Sequence, residues 1–245
     1  MNQTLQTIFN HVSVRKFTNQ KLTDNQIKQL VQAAQAASTS SYQQSYSIID
    51  IDDDTVKAPI AKMAGDQDFI NCGHLFIFNA DLNRNHLIAQ ELDKNISETI
   101  TGVDAVIVGA VDASIAAQNM TLAAESMGMG ICYIGGVRDG IVGISELLHL
   151  PDEVYPVFGL LVGYPAQKND PKPRIPFNGI YHKNHYDPGK LSIIKQYNQE
   201  TRKYYQNRSG KKSNRTWADT AIKSLETHPR DFMKKYLNDR GLDQH

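Results

Sequence analysis

The chain has 245 residues, of which 40% are hydrophobic and 21% are charged, as is ordinary for a globular protein with a full core. Its 26 lysines and arginines balance its 26 aspartates and glutamates, and a neutral chain is not expected to coat nucleic acid or a membrane surface. The two cysteines, Cys72 and Cys132, form no disulfide framework and no metal-cluster pattern, so we expect a reducing cytoplasm.

The first informative stretch is HVSVRKF, residues 11–17. An extended backbone there places His11, Ser13 and Arg15 on one side of the chain. The pattern fits either a polar edge strand or a row of hydrogen-bond donors for an anion. Spacing alone leaves both interpretations open.

A helix is predicted over Thr23–Ala37. Thr23 and Gln26 have the spacing of a capping box, and the apolar residues that follow lie on one helix face. Short strands are predicted at Ser47–Ile51 and Leu75–Asn79, and the acidic run 52–54 between them is expected to be a solvated turn. The polar section 81–99 predicts a mobile segment.

A long helix rich in alanine is predicted over Val103–Met127 and is expected to be buried in a core or at a dimer interface. Glycines at 128 and 130 end it. Strands at Ile131–Ile134 and Tyr155–Gly163 follow, and the first of them leads into Gly135 and Gly136. The N-terminus lacks the pattern of a signal peptide, and no segment is expected to reach the roughly 20 apolar residues that span a bilayer.

After Pro165, repeated prolines predict an extended segment, followed by helical pattern from Leu191 and a basic loop at 207–215. The last helix, Trp217–Asn238, is expected to kink or break at Pro229. Few strands in irregular order among helices favour an α+β fold over a doubly wound sheet.

Several familiar sites are absent from the sequence. The glycines at 128 and 130 follow a helix, whereas a dinucleotide fingerprint needs a strand-turn-helix setting. His182 and His185 lack a supporting cluster of metal ligands and are interpreted as exposed loop residues. Lys172-Pro-Arg174 is the second candidate anion site, because proline fixes an extended backbone and both flanking side chains are cationic. An exposed loop is the alternative, and spacing alone does not say whether this segment meets HVSVR in space.

Several motifs in one order resemble the nitroreductase family. These are HVSVRKFT, the Ser-rich stretch after the first capped helix, AQNMTLAAESMGMG, YIGGVR, FGLLVGYP, KPRIP and the final TWAD. The match is to the larger branch, the NADPH-dependent oxygen-insensitive nitroreductases and flavin reductases. The resemblance implies one FMN-binding domain over 1–245. It further implies a central, mostly antiparallel sheet and an intertwined homodimer, with residues from about 165 to 245 embracing the partner subunit.

The resemblance also assigns residues to the cofactors. Arg15 matches the position at the pyrimidine edge of the flavin, where it would give electrostatic support, and no side chain is expected to act as a nucleophile. Two departures, Val12 for the usual Arg and Thr39 for a common Ser, should not abolish FMN binding. The positions implied to bind FMN are His11, Ser13, Arg15, Thr39, Ser40, Ser41, Gln67, Tyr133, Ile134, Gly135, Gly136, Lys172 and Arg174, and those implied to bind NADPH are Arg208, Lys211, Lys212 and Arg215.

The implied activity is oxidation of NADPH by bound FMN, with ping-pong transfer to a nitroaromatic, a quinone or free flavin. An FMN-binding redox sensor or storage protein with little turnover is the alternative. Nucleic-acid binding through the basic loop is disfavoured by the neutral charge and by the lack of interleaved aromatic residues. Flavin fragmentation and reductive dehalogenation, found among relatives, involve lid motifs that are not seen here.

Overall fold

The computed structural model describes residues 1–65, 67, 70, 73–209, 211–227 and 229–245, so Cys72 lies outside the described residues. The chain divides into two compact units. The first, here called the sheet unit, comprises Met1–Gln167 and Arg230–His245. The second, here called the helical unit, comprises Lys168–Pro229.

The sheet unit is built on a four-stranded sheet of order β1-β2-β4-β3 in which every neighbouring pair is antiparallel. The two central strands are buried along nearly their whole length, which explains their continuous apolar sequence. The predicted strands and the α+β class with an antiparallel sheet are therefore confirmed. The strands are β1 (Tyr46–Ile51), β2 (His74–Asp81), β3 (Gly130–Ile134) and β4 (Val154–Gly163).

Helices flank this sheet, and the one predicted most clearly is confirmed. Helix α2 is capped by Thr23, whose hydroxyl accepts a hydrogen bond from the Gln26 backbone N–H at 3.3 Å, while Gln26 Oε1 accepts from the Thr23 N–H at 3.0 Å. This is the reciprocal capping box. The α-helices of the sheet unit are α1 (Gln3–Phe9), α2 (Asp24–Gln35), α3 (Asp54–Met63), α4 (Asn83–Glu91), α5 (Ser97–Ile100), α6 (Val103–Ser126), α7 (Ile141–Leu147) and, after the helical unit, α11 (Met233–Asp239).

Helix α6 is the core helix of the sheet unit. Ala113, Ala116, Ala117 and Met120 are fully buried, and the small side chains let β2 approach closely: a Cβ on Gly109 would lie 2.7 Å from Ala80 Cβ. The expectation that no segment reaches a membrane-spanning length is corrected, since α6 is long and apolar enough by composition. Its buried residues belong to the main hydrophobic core, as expected of a core helix.

Two polar regions are more helical than their sequence predicts. The section 81–99 contains α4 and the start of α5 rather than a mobile segment, and His86 of α4 is tied to Glu153 by an Nδ1–Oε1 distance of 2.6 Å. In the acidic run, Asp53 is the N-cap of α3 and accepts a hydrogen bond from the Thr55 N–H at 2.7 Å. Caps and tertiary ties, rather than a clear apolar face, define these helices.

The helical unit begins with residues 168–176, which form no helix or strand, as the prolines predict. The predicted last helix ends at Thr227, and α11 begins only at Met233, so the expected break near Pro229 is confirmed. The α-helices of this unit are α8 (Phe177–Ile180), α9 (Leu191–Asn207) and α10 (Trp217–Thr227).

Candidate functional site

The HVSVR segment lies beside strand β3. The Val14 N–H donates to the Ile131 carbonyl at 2.8 Å, and Ser13 forms a parallel bridge to Ile131. Val14 is buried, and Gly130 makes room for it, since a Cβ there would lie 2.5 Å from Val14 Cγ2. Burial of Val14 leaves its neighbours, Ser13 and Arg15, exposed at the surface along β3.

Arg15 is the open cation of this segment. Within the part of the chain that the structure describes, its guanidinium makes no hydrogen bond or ion pair. The positive charge of Arg15 acts on Cys132 of β3. Burial raises the pKa of the Cys132 thiol, and the charge of Arg15 opposes that rise. A permanently charged fork beside the strand is suited to a negatively charged ligand.

His11 is held by a partner that the sequence interpretation did not single out. Its Nδ1 lies 2.6 Å from Oε1 of Glu125, a largely buried carboxylate near the end of α6. The carboxylate fixes the orientation of the imidazole ring and engages one of its two nitrogens. The signal was available, because Glu125 is a lone acid among small apolar residues of the AAES motif.

The end of β3 presents an aromatic ring and then two glycines. Tyr133 is 36% exposed, its hydroxyl accepts a hydrogen bond from Thr121 Oγ1 at 3.0 Å, and its ring meets Phe158 edge-on. Burial of the hydroxyl end raises the pKa of Tyr133. Ile134 is buried, and Gly135 follows in a roomier setting, where a Cβ would meet Arg138 Nη2 at an ordinary contact distance of 3.6 Å.

Gln67 and Gly136, assigned separately to the flavin, lie together. Gln67 Nε2 donates to the Ala64 carbonyl at 2.6 Å, and a Cβ on Gly136 would lie 2.5 Å from the same nitrogen and overlap that carbonyl oxygen. Only glycine permits this backbone approach. The structure thus brings together the HVSVR segment, β3 and its glycines, and Gln67.

The Ser-rich loop is anchored to α6. Asp112, fully buried, accepts hydrogen bonds from the backbone N–H groups of Ser40 at 2.9 Å and Ser45 at 3.0 Å, one on each carboxylate oxygen. The Thr39 hydroxyl accepts from the Gln44 N–H at 3.3 Å. Ser41 has a φ of +47° inside this turn. The loop that carries the predicted residues Thr39, Ser40 and Ser41 is therefore held by a buried charge.

Asp112 was another residue that sequence interpretation missed. A carboxylate in the middle of an otherwise apolar helix was the available signal, because such a group is retained only where it has partners. Its partners are backbone N–H groups from a distant loop, and no side-chain pattern reveals those.

In the helical unit, the Lys172-Pro-Arg174 segment packs along α9. The Tyr197 hydroxyl donates to the Pro173 carbonyl at 2.8 Å, and Arg174 Nη1 donates to the Lys172 carbonyl at 3.2 Å. The Lys172 side chain has a different neighbour: its Nζ lies 5.8 Å from the centre of the Tyr205 ring. Two carbonyl groups of the segment are therefore fixed, one of them by the Arg174 side chain itself.

The basic loop meets Lys172 at the same tyrosine. The guanidinium carbons of Arg208 and Arg215 lie 5.2 Å and 4.2 Å from the centre of the Tyr205 ring. Arg208 is braced by a hydrogen bond from its Nε to the Lys211 carbonyl at 2.7 Å, while the side chains of Lys211 and Lys212 are exposed. The helical unit thus gathers three of its predicted cofactor-binding cations, which we call the Tyr205 cluster: Lys172, Arg208 and Arg215.

Metal ligation finds little support. No group of three or more His, Cys, Asp or Glu side chains that could hold a metal ion occurs among the residues that the structure describes. His182 Nδ1 accepts a hydrogen bond from the Asp187 N–H at 2.9 Å, and its ring stacks on Tyr186.

An antiparallel sheet flanked by helices on a chain of this order defines an α+β class of protein. The model of the nitroreductase family matches residues 8–164, and that of the nitroreductase family C-terminal domain matches residues 172–245. This chain belongs to the nitroreductase family.

Relatives are similar along the whole chain. A protein named FMN reductase (NADPH) from Bacillus subtilis is 42% identical over 248 residues, covering 100% of both chains. The solved structure of NfrA1 nitroreductase from B. subtilis matches with a TM-score of 0.96 at 41% identity, over 99% of this chain and 100% of that one. The NADPH:FMN oxidoreductase of Vibrio harveyi, complexed with NAD+, matches with a TM-score of 0.89 at 35% identity over 100% of each chain.

Proposed function

We propose that this chain is an FMN-dependent NADPH oxidoreductase that reduces nitroaromatics, quinones or free flavin by ping-pong hydride transfer through bound FMN. The observation that carries the proposal is the exposed Arg15 guanidinium beside a strand that ends in two glycines. Family membership supports it, as do the names of the relatives, which specify FMN and NADPH.

The residues of the sheet unit suit FMN. A flat ring needs close access to backbone, and Gly135 carries no side chain to block it, whereas the missing Cβ of Gly136 makes room for the Ala64 carbonyl and Gln67. Tyr133 adds an exposed aromatic surface next to these glycines. Arg15 supplies a charge that no carboxylate of the described residues neutralises. These features fit the cofactor's aromatic and anionic parts.

When bound, FMN would supply the hydride-transfer chemistry between NADPH and an acceptor, and its reduced form would carry more negative charge. Arg15 stabilises that charge, because its guanidinium stays protonated at any working pH. Gly135 leaves the surface after β3 uncovered, and the Asp112 carboxylate fixes the Ser-rich loop. No protein side chain acts as nucleophile.

The remaining assignments are proposals of the same kind. We assign FMN contacts in the sheet unit to His11, Ser13, Arg15, Gln67 and the Thr39–Ser41 and Tyr133–Gly136 segments. In the helical unit we assign Lys172 and Arg174 to FMN, and Arg208, Lys211, Lys212 and Arg215 to NADPH. The domain is proposed to extend over 1–245, with the region from about 165 reaching a partner subunit.

A homodimer is supported by one face of α6. Val103, Ile107, Val111 and Ile115 recur every fourth residue, and each remains 40–54% exposed in the single chain. Such an apolar stripe along one face of a core helix is suited to a second copy of the same helix. Sedimentation should then give twice the 27.4 kDa chain mass. We also place the protein in the cytoplasm, in keeping with its two cysteines.

The proposal is tested by mixing the purified, FMN-loaded protein with NADPH or NADH in a stopped-flow spectrometer. Rapid bleaching of the yellow flavin by NADPH, followed by reoxidation with a quinone, is expected. A yellow protein that neither nucleotide bleaches would contradict the enzyme and favour the redox sensor or storage protein.

Nucleotide preference is tested at Arg208. Arg208→Ala should raise KM for NADPH about tenfold or more, with little change in KM for NADH, because one charge-assisted hydrogen bond to the 2′-phosphate is lost. Arg202→Ala is the matched control and should leave both KM values unchanged, because Arg202 is an exposed arginine of α9, the helix that ends just before Arg208. Equal effects of Arg208→Ala on the two nucleotides would refute the assignment.

A further inference from the structure

The last turn of α6 carries a carboxylate in an unfavourable place. Glu125 is the next-to-last residue of this helix, and its side chain is only 12% exposed. The free carbonyl groups at the C-terminus of a helix repel negative charge, and the last turn of α6 contains no basic residue to offset this repulsion. A largely buried acid at such a position is stable only where a partner compensates for it.

The partner of this acid is His11, which lies 114 residues away in the sequence. His11 Nδ1 is 2.6 Å from Glu125 Oε1, and the His11 side chain is 28% exposed. Because Nδ1 is engaged, Nε2 is the ring nitrogen that remains for another group. Among the residues that the structure describes, none forms a hydrogen bond to Nε2. The imidazole is therefore held on one side and open on the other.

An imidazole that joins two anions needs a proton on each nitrogen. A neutral ring has a single N–H, and if that proton faces Glu125, Nε2 can only accept. The imidazolium donates at both nitrogens, so it can bind a carboxylate on one side and an anionic ligand on the other. Glu125 and the negative end of α6 both attract a positive ring. Helix α1, which also packs on α6, carries no charged side chain, and Arg15 of the HVSVR segment adds a second cation for the same ligand.

We propose that Glu125 is a positioning residue for the phosphate group of FMN, because it holds His11 by Nδ1 and leaves the Nε2–H to donate to the phosphate. The inference rests on the proposed function, in which His11 contacts FMN. It makes the recognition of the phosphate depend on a carboxylate at the end of α6, which acts through His11 and not on the cofactor itself.

The test compares FMN with riboflavin, which has the same ring system but no phosphate. The full-length protein is freed of flavin by dialysis and titrated with each compound, and quenching of flavin fluorescence gives Kd. Glu125→Gln keeps the size of the side chain and removes its charge, so it should raise Kd for FMN about fivefold to tenfold and leave Kd for riboflavin within about twofold of wild type. Glu146→Gln, the same substitution at an exposed acid of α7, is the matched control and should change neither value.

A double-mutant cycle shows whether the carboxylate acts through the imidazole. His11→Gln alone should also weaken FMN more than riboflavin. In the His11→Gln protein, the further change Glu125→Gln should alter Kd for FMN by less than about twofold, because the ring through which Glu125 acts is gone. Thermal unfolding checks that each variant is folded. If the Gln variant is not, Glu125→Met, which has similar length and no charge, takes its place in the cycle.

The outcomes distinguish this inference from the proposed function. Equal weakening of FMN and riboflavin by Glu125→Gln, unchanged affinity for FMN, or a full effect that persists in the His11→Gln protein would overturn the role of Glu125 while leaving the oxidoreductase intact. A yellow wild-type protein that neither nucleotide bleaches would refute the proposed function. The two flavin titrations would then still decide whether Glu125 positions His11 for the phosphate.

Discussion

The sheet unit and the helical unit hold their candidate site residues in opposite ways. In the sheet unit, backbone is fixed by buried groups: Asp112 binds the Ser-rich loop, and Gly136 is pressed against Ala64 and Gln67. In the helical unit, long cationic side chains gather around a single aromatic residue, Tyr205. One arrangement is set by main-chain geometry and the other by side-chain charge.

This difference separates stability from ligand preference. The free energy of unfolding falls when a buried carboxylate loses its N–H donors or when a close backbone contact is forced apart. This loss does not depend on whether a ligand is bound. Cations at the surface of a ring repel one another and gain most when an anion is bound. Substitutions at the buried contacts of the sheet unit should therefore lower stability, and substitutions around Tyr205 in the helical unit should chiefly change which nucleotide binds.

The largest loss of stability is expected at Asp112. Asp112→Asn places an amide where two backbone N–H groups now donate to a carboxylate, so one of those donors faces another donor in a fully buried site. The free energy of unfolding should fall by about 2–4 kcal/mol, measured by urea denaturation. The loop should also open, and chymotrypsin should cleave faster after Tyr42, which is exposed at its tip.

Asp104→Asn is the control for this change, because Asp104 is an exposed acid in the first turn of the same helix. Its loss should cost less than about 1 kcal/mol through the helix dipole, without any effect on cleavage at Tyr42. If Asp112→Asn unfolded like Asp104→Asn, the buried carboxylate would not be what holds the loop.

A smaller loss is expected from the adjacent glycines, which form a matched pair. Gly136→Ala forces a methyl group onto the Ala64 carbonyl and Gln67 Nε2, and overpacking of this kind costs about 1–3 kcal/mol. Gly135→Ala meets only ordinary contact and should change stability by less than about 0.5 kcal/mol. Thermal unfolding of the two variants without FMN separates them, and an equal loss in both would contradict the close approach at Gly136.

Much of the sheet unit could be predicted from the sequence because its signals are local. The capping box at Thr23 and the continuous apolar run of β2 each lie within one element, and both were confirmed. Helix α4 escaped prediction, because its ties are tertiary, such as that of His86 to Glu153. The family resemblance, carried by many ordered motifs, was confirmed by the family models.

The candidate site was predictable only in part, because only some of its signals are local in the sequence. Residue types at short spacing pointed to the HVSVR and Lys172-Pro-Arg174 segments. In the structure, Ser13 and Arg15 are exposed on either side of the buried Val14, as an extended backbone predicts. Glu125 and Tyr205 contact those segments, and Asp112 holds the Ser-rich loop, each from far away in sequence and through contacts that no periodicity reveals. Distances between residues that are remote in the chain require coordinates.

The smallest effect is spectroscopic and compares one tyrosine from each region. In the sheet unit, burial raises the pKa of Tyr155, whose hydroxyl donates to the Val106 carbonyl at 2.6 Å, whereas in the helical unit the pKa of Tyr205 is lowered. Below the lowered pKa both phenols are neutral, folded or unfolded, so neither changes stability at neutral pH. As pH rises towards the ordinary tyrosine pKa of 10.0, Tyr205 ionises first in the folded protein and therefore adds to the free energy of unfolding. Above pH 10.0, Tyr155 lowers the free energy of unfolding, because only its unfolded form readily loses the proton. An ultraviolet phenolate titration of the native protein should therefore lose its earliest component in Tyr205→Phe and keep it in Tyr155→Phe. An early component that survives Tyr205→Phe would mean that the cations do not act on this ring.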